Sequence, residues 1–211
     1  MRSKKELEVA LSKLKGFPAP KVRQEQYLTP SSIAAEALWK AKFGHLEGKV
    51  SVDLGAGTGI LGIGALLLGA KRVFFVENDP EALETCKENV KAIESEYSGL
   101  GEAVFLLQDA RQFAIPVDTA LLNPPFGTRQ AHLDVEFLKA AISSSSYVVS
   151  FHKTSTVPFL VGKIPKLGGE LVERLDFRFL LRNTMGHHTK RKHSIEVSCL
   201  ILSPTRFVDE K

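Results

Sequence analysis

The sequence is poor in cysteine and has no long apolar run. Its two cysteines, Cys86 and Cys199, are far apart and have no metal-ligand residues beside them. We therefore expect two buried thiols in a reducing compartment, and no zinc or other metal site. The chain also has no signal peptide pattern and no apolar stretch of about 18 residues. From this we expect a soluble, cytoplasmic protein without a membrane partner.

The basic residues are unevenly distributed along the chain. The net charge is +4, from 28 cationic and 24 anionic side chains. Residues 1–24 and residues 177–193 each carry a net charge of +5, so the rest of the chain carries −6. Either segment alone would be ordinary solvated surface. Two basic segments on an acidic body favour a polyanionic partner such as a nucleic acid.

Strand-like and helix-like apolar patterns alternate over most of the 211 residues, which suits one α/β domain. Helices are predicted at 4–15, 30–42, 61–68, 80–95, 133–143 and 155–163. Strands are predicted at 49–54, 72–77, 103–108, 117–122, 147–151, 171–180 and 195–203. Thr29 is well placed to cap the second helix, with Pro30 at its first position.

A glycine-rich loop follows the first predicted core strand and leads into an apolar helix. A strand, a glycine-rich turn and a helix form the first unit of nucleotide-binding folds, because glycines let a ligand approach the backbone. A tight turn without a ligand, or the loop of a dehydrogenase, would show the same pattern. The loop residues predicted to bind a cofactor are Asp53, Gly55, Gly57, Thr58, Gly59 and Ile60.

Acidic residues end the next two predicted strands. Glu77 closes the second strand, where a carboxylate can accept hydrogen bonds from both ribose hydroxyls of an adenosine cofactor, in NAD or in S-adenosylmethionine. Asp79 can instead serve as a helix cap in front of Pro80. Asp109, followed by Ala110, ends the third strand and could accept from an adenine amino group or simply cap a turn.

The segment Asn123-Pro124-Pro125-Phe126 follows the fourth predicted strand. Both prolines hold the backbone extended, so the carbonyls of Asn123 and Pro124 stay free to accept hydrogen bonds. A planar amino group on an aromatic ring, such as adenine N6, offers two N–H donors and a face that can stack on Phe126. A plain turn with Phe126 in the core is the alternative, and the glycine-rich loop upstream makes it less favoured.

Two further segments could contact a nucleic acid. His152 and Lys153 follow the fifth strand, at the end where open α/β sheets bind ligands, although a lone histidine is more often structural. The segment between the last two strands is polar and basic. We interpret its residues Lys190, Arg191 and Lys192 as a clamp for a phosphate backbone, because three histidines among three cations make a poor metal site.

These motifs together carry a family resemblance over nearly the whole chain. The glycine-rich loop, Glu77 and Asn123 to Phe126 resemble Class I S-adenosylmethionine-dependent methyltransferases that act on exocyclic amino groups. Glu25-Gln26-Tyr27 with Thr29, Phe151-His152-Lys153 and the basic segment before Ile195 resemble the methyltransferase-like ribosomal RNA adenine-N6 methyltransferases. Two positions differ from the family, because Leu28 replaces its proline and Glu77 replaces the Asp of some relatives.

The resemblance implies a Rossmann-like domain spanning 1–211, with an N-terminal helical extension at 1–45 and a catalytic core at 46–211. It implies a seven-stranded, mostly parallel sheet with helices on both faces and a C-terminal antiparallel hairpin. It also implies N6-methylation of one adenosine in small-subunit ribosomal RNA, with an RNA partner and, as in eukaryotic members, a small zinc-containing activator bound through a sheet edge. The implied cofactor contacts are Gln26, Thr29, Gly55, Thr58, Ile60, Glu77, Asp109 and Ala110, and Asn123 to Phe126 are the implied catalytic motif.

Other functions fit part of the sequence. A protein glutamine N5-methyltransferase would present the same planar NH2 group, but such enzymes usually have Tyr at the fourth motif position and a separate substrate domain. A DNA adenine methyltransferase would need a target-recognition domain, and none is visible. A non-catalytic RNA-binding assembly factor would be expected to have a damaged cofactor loop or motif, and both are intact. A dehydrogenase leaves Asn123 to Phe126 unexplained.

Overall fold

The computed structural model describes residues 1–18, 28–125, 133–180 and 194–205. Seven strands form one sheet in the order β3-β2-β1-β4-β5-β7-β6. The strands are β1 (Val50–Leu54), β2 (Arg72–Glu77), β3 (Glu102–Leu107), β4 (Val117–Leu122), β5 (Ser145–Lys153), β6 (Gly169–Leu180) and β7 (Ser194–Pro204). Strands β1 to β5 run parallel, and β7 is antiparallel to both β5 and β6.

Helices cover both faces of the sheet. They are α1 (Lys4–Ser12), α2 (Ser31–Ala41), α3 (Ile60–Leu67), α4 (Pro80–Glu96), α5 (Leu133–Ser144) and α6 (Val157–Lys163). Apolar side chains of α1 to α4 pack in one core cluster, and those of α5 and α6 pack in a second cluster on the opposite face. The predicted fold class, including the antiparallel C-terminal hairpin, is therefore confirmed.

The central strands are buried on both faces, which explains their nearly continuous apolar sequences. In β4, the residues from Thr119 to Leu122 are all buried, with Leu121 in one core cluster and Leu122 in the other. Such runs are typical of parallel strands that are covered by helices on both sides. The chain order reverses between β1 and β4, because β1 leads outward to β2 while β4 leads outward to β5. Ligands of open α/β sheets bind at this switch point, beyond the carboxyl ends of the strands.

The N-terminal helices belong to the main core. Leu7 and Leu11 of α1 and Leu38 of α2 are buried in the same cluster as Leu66 of α3. Side chains of α1 and α2 therefore pack in the same apolar cluster as those of α3. None of the helices within the described ranges is long and apolar enough to cross a membrane.

Several predicted boundaries are corrected by the structure. The predicted cap at Thr29 is wrong, since α2 begins at Ser31 with Pro30 at the capping position and no side-chain cap. Helix α1 ends at Ser12, and β5 is longer at both ends than predicted. The predicted cap at Asp79 is confirmed, because its carboxylate accepts from the Glu81 N–H at 3.1 Å.

The β6–β7 hairpin extends past the carboxyl end of β5. Lys153 is the last residue of β5 and is paired with Val197, whereas the ladder between β6 and β7 continues to Leu180 and Ser194. Three further residue pairs correspond to roughly 10 Å of strand. The end of β6 at Leu180 and the start of β7 at Ser194 therefore lie at the same edge of the sheet as the switch point.

Candidate active site

Asn123 lies at the switch point, directly after β4. Leu122 is paired with Leu54 of β1, so Asn123 and the glycine-rich loop leave adjacent strands at the same edge. The Asn123 side-chain nitrogen Nδ2 donates to the Thr29 hydroxyl at 2.8 Å. Its Oδ1 is buried and has no hydrogen-bond partner among the residues that the structure describes. Asn123 thus holds an acceptor that the described residues leave unused.

The rest of the motif continues from that position. Pro124 is buried and Pro125 is half-buried. Neither proline has an N–H, so neither backbone nitrogen can occupy an acceptor in the site. Phe126, predicted as the stacking residue, lies outside the described residues.

The glycine-rich loop turns tightly between β1 and α3. Gly55, Gly57 and Gly59 have φ values of 71°, 54° and 92°, in the left-handed region that glycine adopts at little cost. A Cβ built at Gly57 would lie 2.9 Å from the ring of Phe17, so this position also depends on the absence of a side chain. Thr58 is buried, and Ile60 begins α3 at the end of the loop.

Asp53 lies at the buried root of the loop. Its Oδ2 accepts the Gly62 N–H at 2.8 Å, which joins the end of β1 to the first turn of α3. Burial away from water, with a smaller contribution from the charge of Glu77, raises the pKa of Asp53 to about 7, although the bond from Gly62 opposes the shift. The carboxyl group is therefore close to half-protonated near neutral pH.

Glu77 organises the backbone around the same loop. Its Oε2 accepts the Gly57 N–H at 2.8 Å. Its Oε1 accepts the N–H groups of Asn78 and Asp79, each at 2.9 Å. A carboxylate has about four acceptor positions, and three are used here, so Glu77 can still accept from a ligand hydroxyl.

Asp109 and Ala110 lie just beyond β3, the strand next to β2. Asp109 caps a short 3-10 turn by accepting the Arg111 N–H at 2.9 Å, and it forms an ion pair with the same residue. Hydrogen bonding to the Arg111 side chain lowers the pKa of Asp109 below its usual value, so it is ionised at neutral pH. Ala110 is 4% exposed and packs in the core beneath the turn.

His152 and Lys153 end β5 in different environments. His152 is 1% exposed and its Nε2 lies 2.5 Å from the Ser150 hydroxyl. Burial lowers the pKa of His152 to about 3, so the ring is neutral. Lys153 is exposed at the edge. Their contact with a nucleic acid remains a prediction, and it fits the exposed Lys153 more directly than the enclosed ring.

Other predicted site residues fall outside the described ranges. They are Gln26, Phe126, Lys190, Arg191 and Lys192. Among the described residues, the predicted cofactor ligands from Asp53 to Ile60, Glu77 and Asp109 lie at the ends of the three adjacent strands β1, β2 and β3. The topology therefore brings them to one edge of the sheet together with Asn123.

Known proteins resemble the chain over almost its full length. The family model described as "Conserved hypothetical protein 95" matches residues 22–164. The rRNA N(6)-adenosine-methyltransferase Mettl5 of Drosophila melanogaster is 34% identical over 197 residues, covering 92% of each chain. The Danio rerio rRNA N(6)-adenosine-methyltransferase is 33% identical over 205 residues, covering 95% of this chain and 99% of the relative. The chain belongs to the family of these rRNA N(6)-adenosine-methyltransferases.

A solved structure supports the same assignment. The crystal structure of a candidate RNA methyltransferase from Pyrococcus horikoshii has a TM-score of 0.84 and 41% identity, over 97% of this chain and 98% of that one. The chain is therefore a Class I S-adenosylmethionine-dependent methyltransferase. Its described residues fit that cofactor in part, since Glu77 keeps one acceptor position for a hydroxyl donor. Both oxygens of Asp109 accept from Arg111, so an amino donor there would replace part of that pairing.

Sequence reasoning did not find two residues that shape this edge. Asn89 of α4 is 2% exposed and binds the backbone of Lys15 twice, accepting its N–H at 2.8 Å and donating to its carbonyl at 3.0 Å. It also donates to the Thr58 carbonyl at 2.9 Å. Phe17, two residues after Lys15, then lies against Gly57. A signal was available for Asn89, because it is a polar residue in the inward-facing stripe that contains Cys86, Val90 and Ile93.

Proposed function

We propose that the protein transfers a methyl group from S-adenosylmethionine to N6 of an adenosine in small-subunit ribosomal RNA. The observation that carries this proposal is the unpartnered Oδ1 of Asn123 at the switch point. An unsatisfied buried acceptor costs about 1–3 kcal/mol, and a donor on a ligand at this position would remove that cost. Adenine N6 has two N–H donors, and ribosomal RNA is the substrate in the names of the Drosophila and Danio relatives.

Asn123 would act by stabilising positive charge on the acceptor nitrogen. The lone pair of adenine N6 is delocalised into the ring, which makes the nitrogen a poor nucleophile. Hydrogen bonds from its N–H groups to Asn123 Oδ1 and to the Pro124 carbonyl would favour a tetrahedral nitrogen and stabilise the charge that develops there. Because the methylated nitrogen is strongly acidic, water can take its proton and a strong general base is not needed.

The cofactor would be held by the loop and by the acids of the next two strands. S-adenosylmethionine, when bound, supplies an electrophilic sulfonium methyl group. Glu77 would accept from one ribose hydroxyl with its remaining acceptor position. Asp109 would accept from the adenine amino group in place of part of its pairing with Arg111, with Gln26 and Ala110 also in contact as the family resemblance implies. Holding the methyl donor beside Asn123 would supply much of the remaining acceleration through alignment.

RNA would be held mainly through its phosphates. Strand β7 begins with Ser194 at the edge where Asn123 lies, and Lys190, Arg191 and Lys192 directly precede it in the sequence. Lys153 is exposed at the same edge. Phe126 would stack on the extruded base, contributing about 1–3 kcal/mol. Such stacking would offset part of the few kcal/mol that unstacking costs.

A small activator protein is proposed as a partner at the β3 edge of the sheet. On its outer side, β3 has no strand neighbour within the described part of the chain. Its residues from Ala103 to Leu106 are half-buried, and Leu107 is 60% exposed. An open edge with apolar residues can pair with a strand of another protein.

The cytoplasmic location predicted from the sequence belongs to the same proposal, since cytoplasmic ribosomal RNA would be the substrate.

The deciding experiment is methyl transfer from labelled S-adenosylmethionine to ribosomal RNA, free protein and DNA in parallel. We expect label in small-subunit RNA, recovered as N6-methyladenosine after nucleoside analysis. Label recovered as N5-methylglutamine would replace this proposal with the glutamine methyltransferase. If no acceptor is labelled although the cofactor binds, adding a zinc-containing activator separates a missing subunit from a non-catalytic assembly factor.

The substitution Asn123→Ala tests the role of the amide. Removing Oδ1 is expected to lower the rate of transfer by at least about 100-fold, as for other groups that stabilise charge in a transition state. Cofactor affinity, measured by calorimetry, should stay close to that of the wild type because Asn123 faces the methyl acceptor. Transfer at an unchanged rate would rule out this mechanism.

A further inference from the structure

The hydrogen bond between Thr29 and Asn123 joins two segments that are 94 residues apart in the chain. The resemblance implies that Thr29 contacts the cofactor, yet its hydroxyl here accepts from the Asn123 amide at 2.8 Å. Thr29 is 8% exposed, so the bond is shielded from water. A shielded bond between two side chains at the centre of the site is well suited to orienting one of them.

The position of Thr29 is set by the packing of α2. Thr29 directly precedes Pro30, which restricts its backbone to extended conformations. The Pro30 carbonyl accepts the N–H groups of Ile33 and Ala34, each at 3.0 Å, which ties Pro30 to the first turn of the helix. Ile33 and Ala34 are buried in the core cluster beneath the sheet. Thr29 therefore has a rigid support that is independent of the loop after Asn123.

The orientation of the Asn123 amide decides what this residue can do. With Nδ2 on Thr29, the oxygen Oδ1 is left as a free acceptor. If the amide were turned over, its NH2 group would face the substrate amino group, and donors would oppose donors. The chemistry assigned to Asn123 requires the first orientation, in which the Thr29 hydroxyl accepts from Nδ2. Because a hydroxyl can also donate, this bond fixes the place of the side chain, and the opposing donors of the substrate disfavour the turned amide.

We propose that Thr29 is a positioning residue for methyl transfer, which holds the Asn123 amide so that Oδ1 faces the amino group to be methylated. This inference rests on the proposed function, because it concerns the same acceptor atom. It assigns Thr29 an effect on the rate of transfer rather than on the affinity for the cofactor. As a positioning residue Thr29 affects kcat, whereas as a cofactor contact it would affect the affinity for the cofactor.

The test compares Thr29→Val with Thr29→Ser in the full-length protein. Valine keeps the shape of threonine but has no hydroxyl, whereas serine keeps the hydroxyl. We expect Thr29→Val to lower kcat at saturating substrates by about 10- to 100-fold, the scale of a misaligned reacting group. Cofactor affinity, measured by calorimetry, should change much less, and Thr29→Ser should restore most of kcat. A loss of cofactor affinity with kcat unchanged would overturn the proposal and leave Thr29 as a cofactor contact.

A spectroscopic measurement separates this inference from the proposed function. The side-chain amide of Asn123 gives a pair of proton–nitrogen NMR signals, which Asn123→Asp identifies by removing them. We expect Thr29→Val to shift this pair and Thr29→Ser to leave it near its wild-type position. A pair that does not move in Thr29→Val would contradict the contact whatever the substrate is. If the wild type labels another acceptor class, kcat is measured on that class, and the proposed function fails while the positioning role is still decided.

Discussion

The buried carboxyl group of Asp53 and the buried Oδ1 of Asn123 lie near the ends of neighbouring strands and have different tasks. Asp53 Oδ2 accepts the Gly62 N–H and so supports the loop. Asn123 Oδ1 has no hydrogen-bond partner among the described residues. Both could be proposed from the sequence, because each belongs to a motif after a buried strand. The bond from Asn123 to Thr29 could not, since the local pattern Thr29-Pro30 favours a helix cap. The cap is absent because α2 begins at Ser31, which places Thr29 one residue before the capping position, and the hydroxyl accepts from Asn123 there.

The substitution Asp53→Asn should stabilise the protein above neutral pH. The folded-state pKa of Asp53, about 7, lies above its ordinary value of 3.8, so folding favours the neutral carboxyl group. That contribution is complete below about pH 4 and is lost as the pH rises through 7. The difference in free energy of unfolding between Asp53→Asn and the wild type should therefore shift in favour of the variant by up to about 2–3 kcal/mol from pH 5 to pH 7. Urea unfolding at several pH values measures this, and parallel pH profiles would contradict it.

At the scale of secondary structure, the carboxyl edge of the sheet is built by strands that each supply one part of the site. The loop after β1, the acids after β2 and β3, and the motif after β4 were all predicted from the residues that follow apolar runs. Helix α4, which packs against the loop, was predicted as well, but its link to the N-terminal segment was not. That link depends on Asn89, a single amide that satisfies three backbone groups.

The substitution Asn89→Leu should weaken the link between α4, the N-terminal segment and the glycine-rich loop. It leaves the N–H and carbonyl of Lys15 and the carbonyl of Thr58 without their partner. We expect a loss of about 2–4 kcal/mol in the free energy of unfolding, together with a lower cofactor affinity. The matched control is Glu88→Gln, which removes only the exposed ion pair with Lys15 and should cost less than about 1 kcal/mol. Equal effects of the two substitutions would contradict the role of Asn89.

The β6–β7 hairpin should determine how RNA affinity depends on salt. Replacing Lys190, Arg191 and Lys192 with glutamine is expected to weaken RNA binding and to reduce the slope of log affinity against log salt by up to about 2 units. The control replaces three exposed lysines away from this edge, Lys71, Lys87 and Lys91, and removes the same charge. If the control flattens the slope as much as the hairpin variant does, general charge rather than the hairpin holds the RNA.

At the scale of the whole molecule, α1 and α2 share one apolar core with the sheet. We therefore propose that residues 1–211 form a single domain, as predicted, with the N-terminal extension as an integral layer of it. The basic N-terminal segment also contacts the rest of the domain after α1. Lys15 binds Asn89 of α4, and Phe17 lies against Gly57 of the cofactor loop.

The substitution Leu7→Ala tests whether the extension unfolds with the rest of the domain. Leu7 is fully buried in α1, so its truncation should cost about 2–5 kcal/mol. Fluorescence of Trp39, the single tryptophan, and circular dichroism should report one coincident transition in the wild type and in the variant. Val9→Ala, at a position that is 47% exposed, is the control and should change stability by less than about 0.5 kcal/mol. An earlier transition seen only by Trp39 would show that the extension is a separate unit.

The order of strands and helices, the loop after β1, the acids after β2 and β3 and the motif after β4 could all be predicted from the amino-acid sequence. Local patterns of apolar residues, glycine and proline encode these features, because each depends on neighbours a few positions away. Three features are visible only in the tertiary structure. They are the unpartnered Oδ1 of Asn123 among the described residues, the bond between Thr29 and Asn123, and the contacts by which Asn89 holds the N-terminal segment against the loop. These contacts join residues 94 and 74 positions apart. They form only when strand register and helix packing bring distant segments within hydrogen-bonding distance, and no local pattern carries that information.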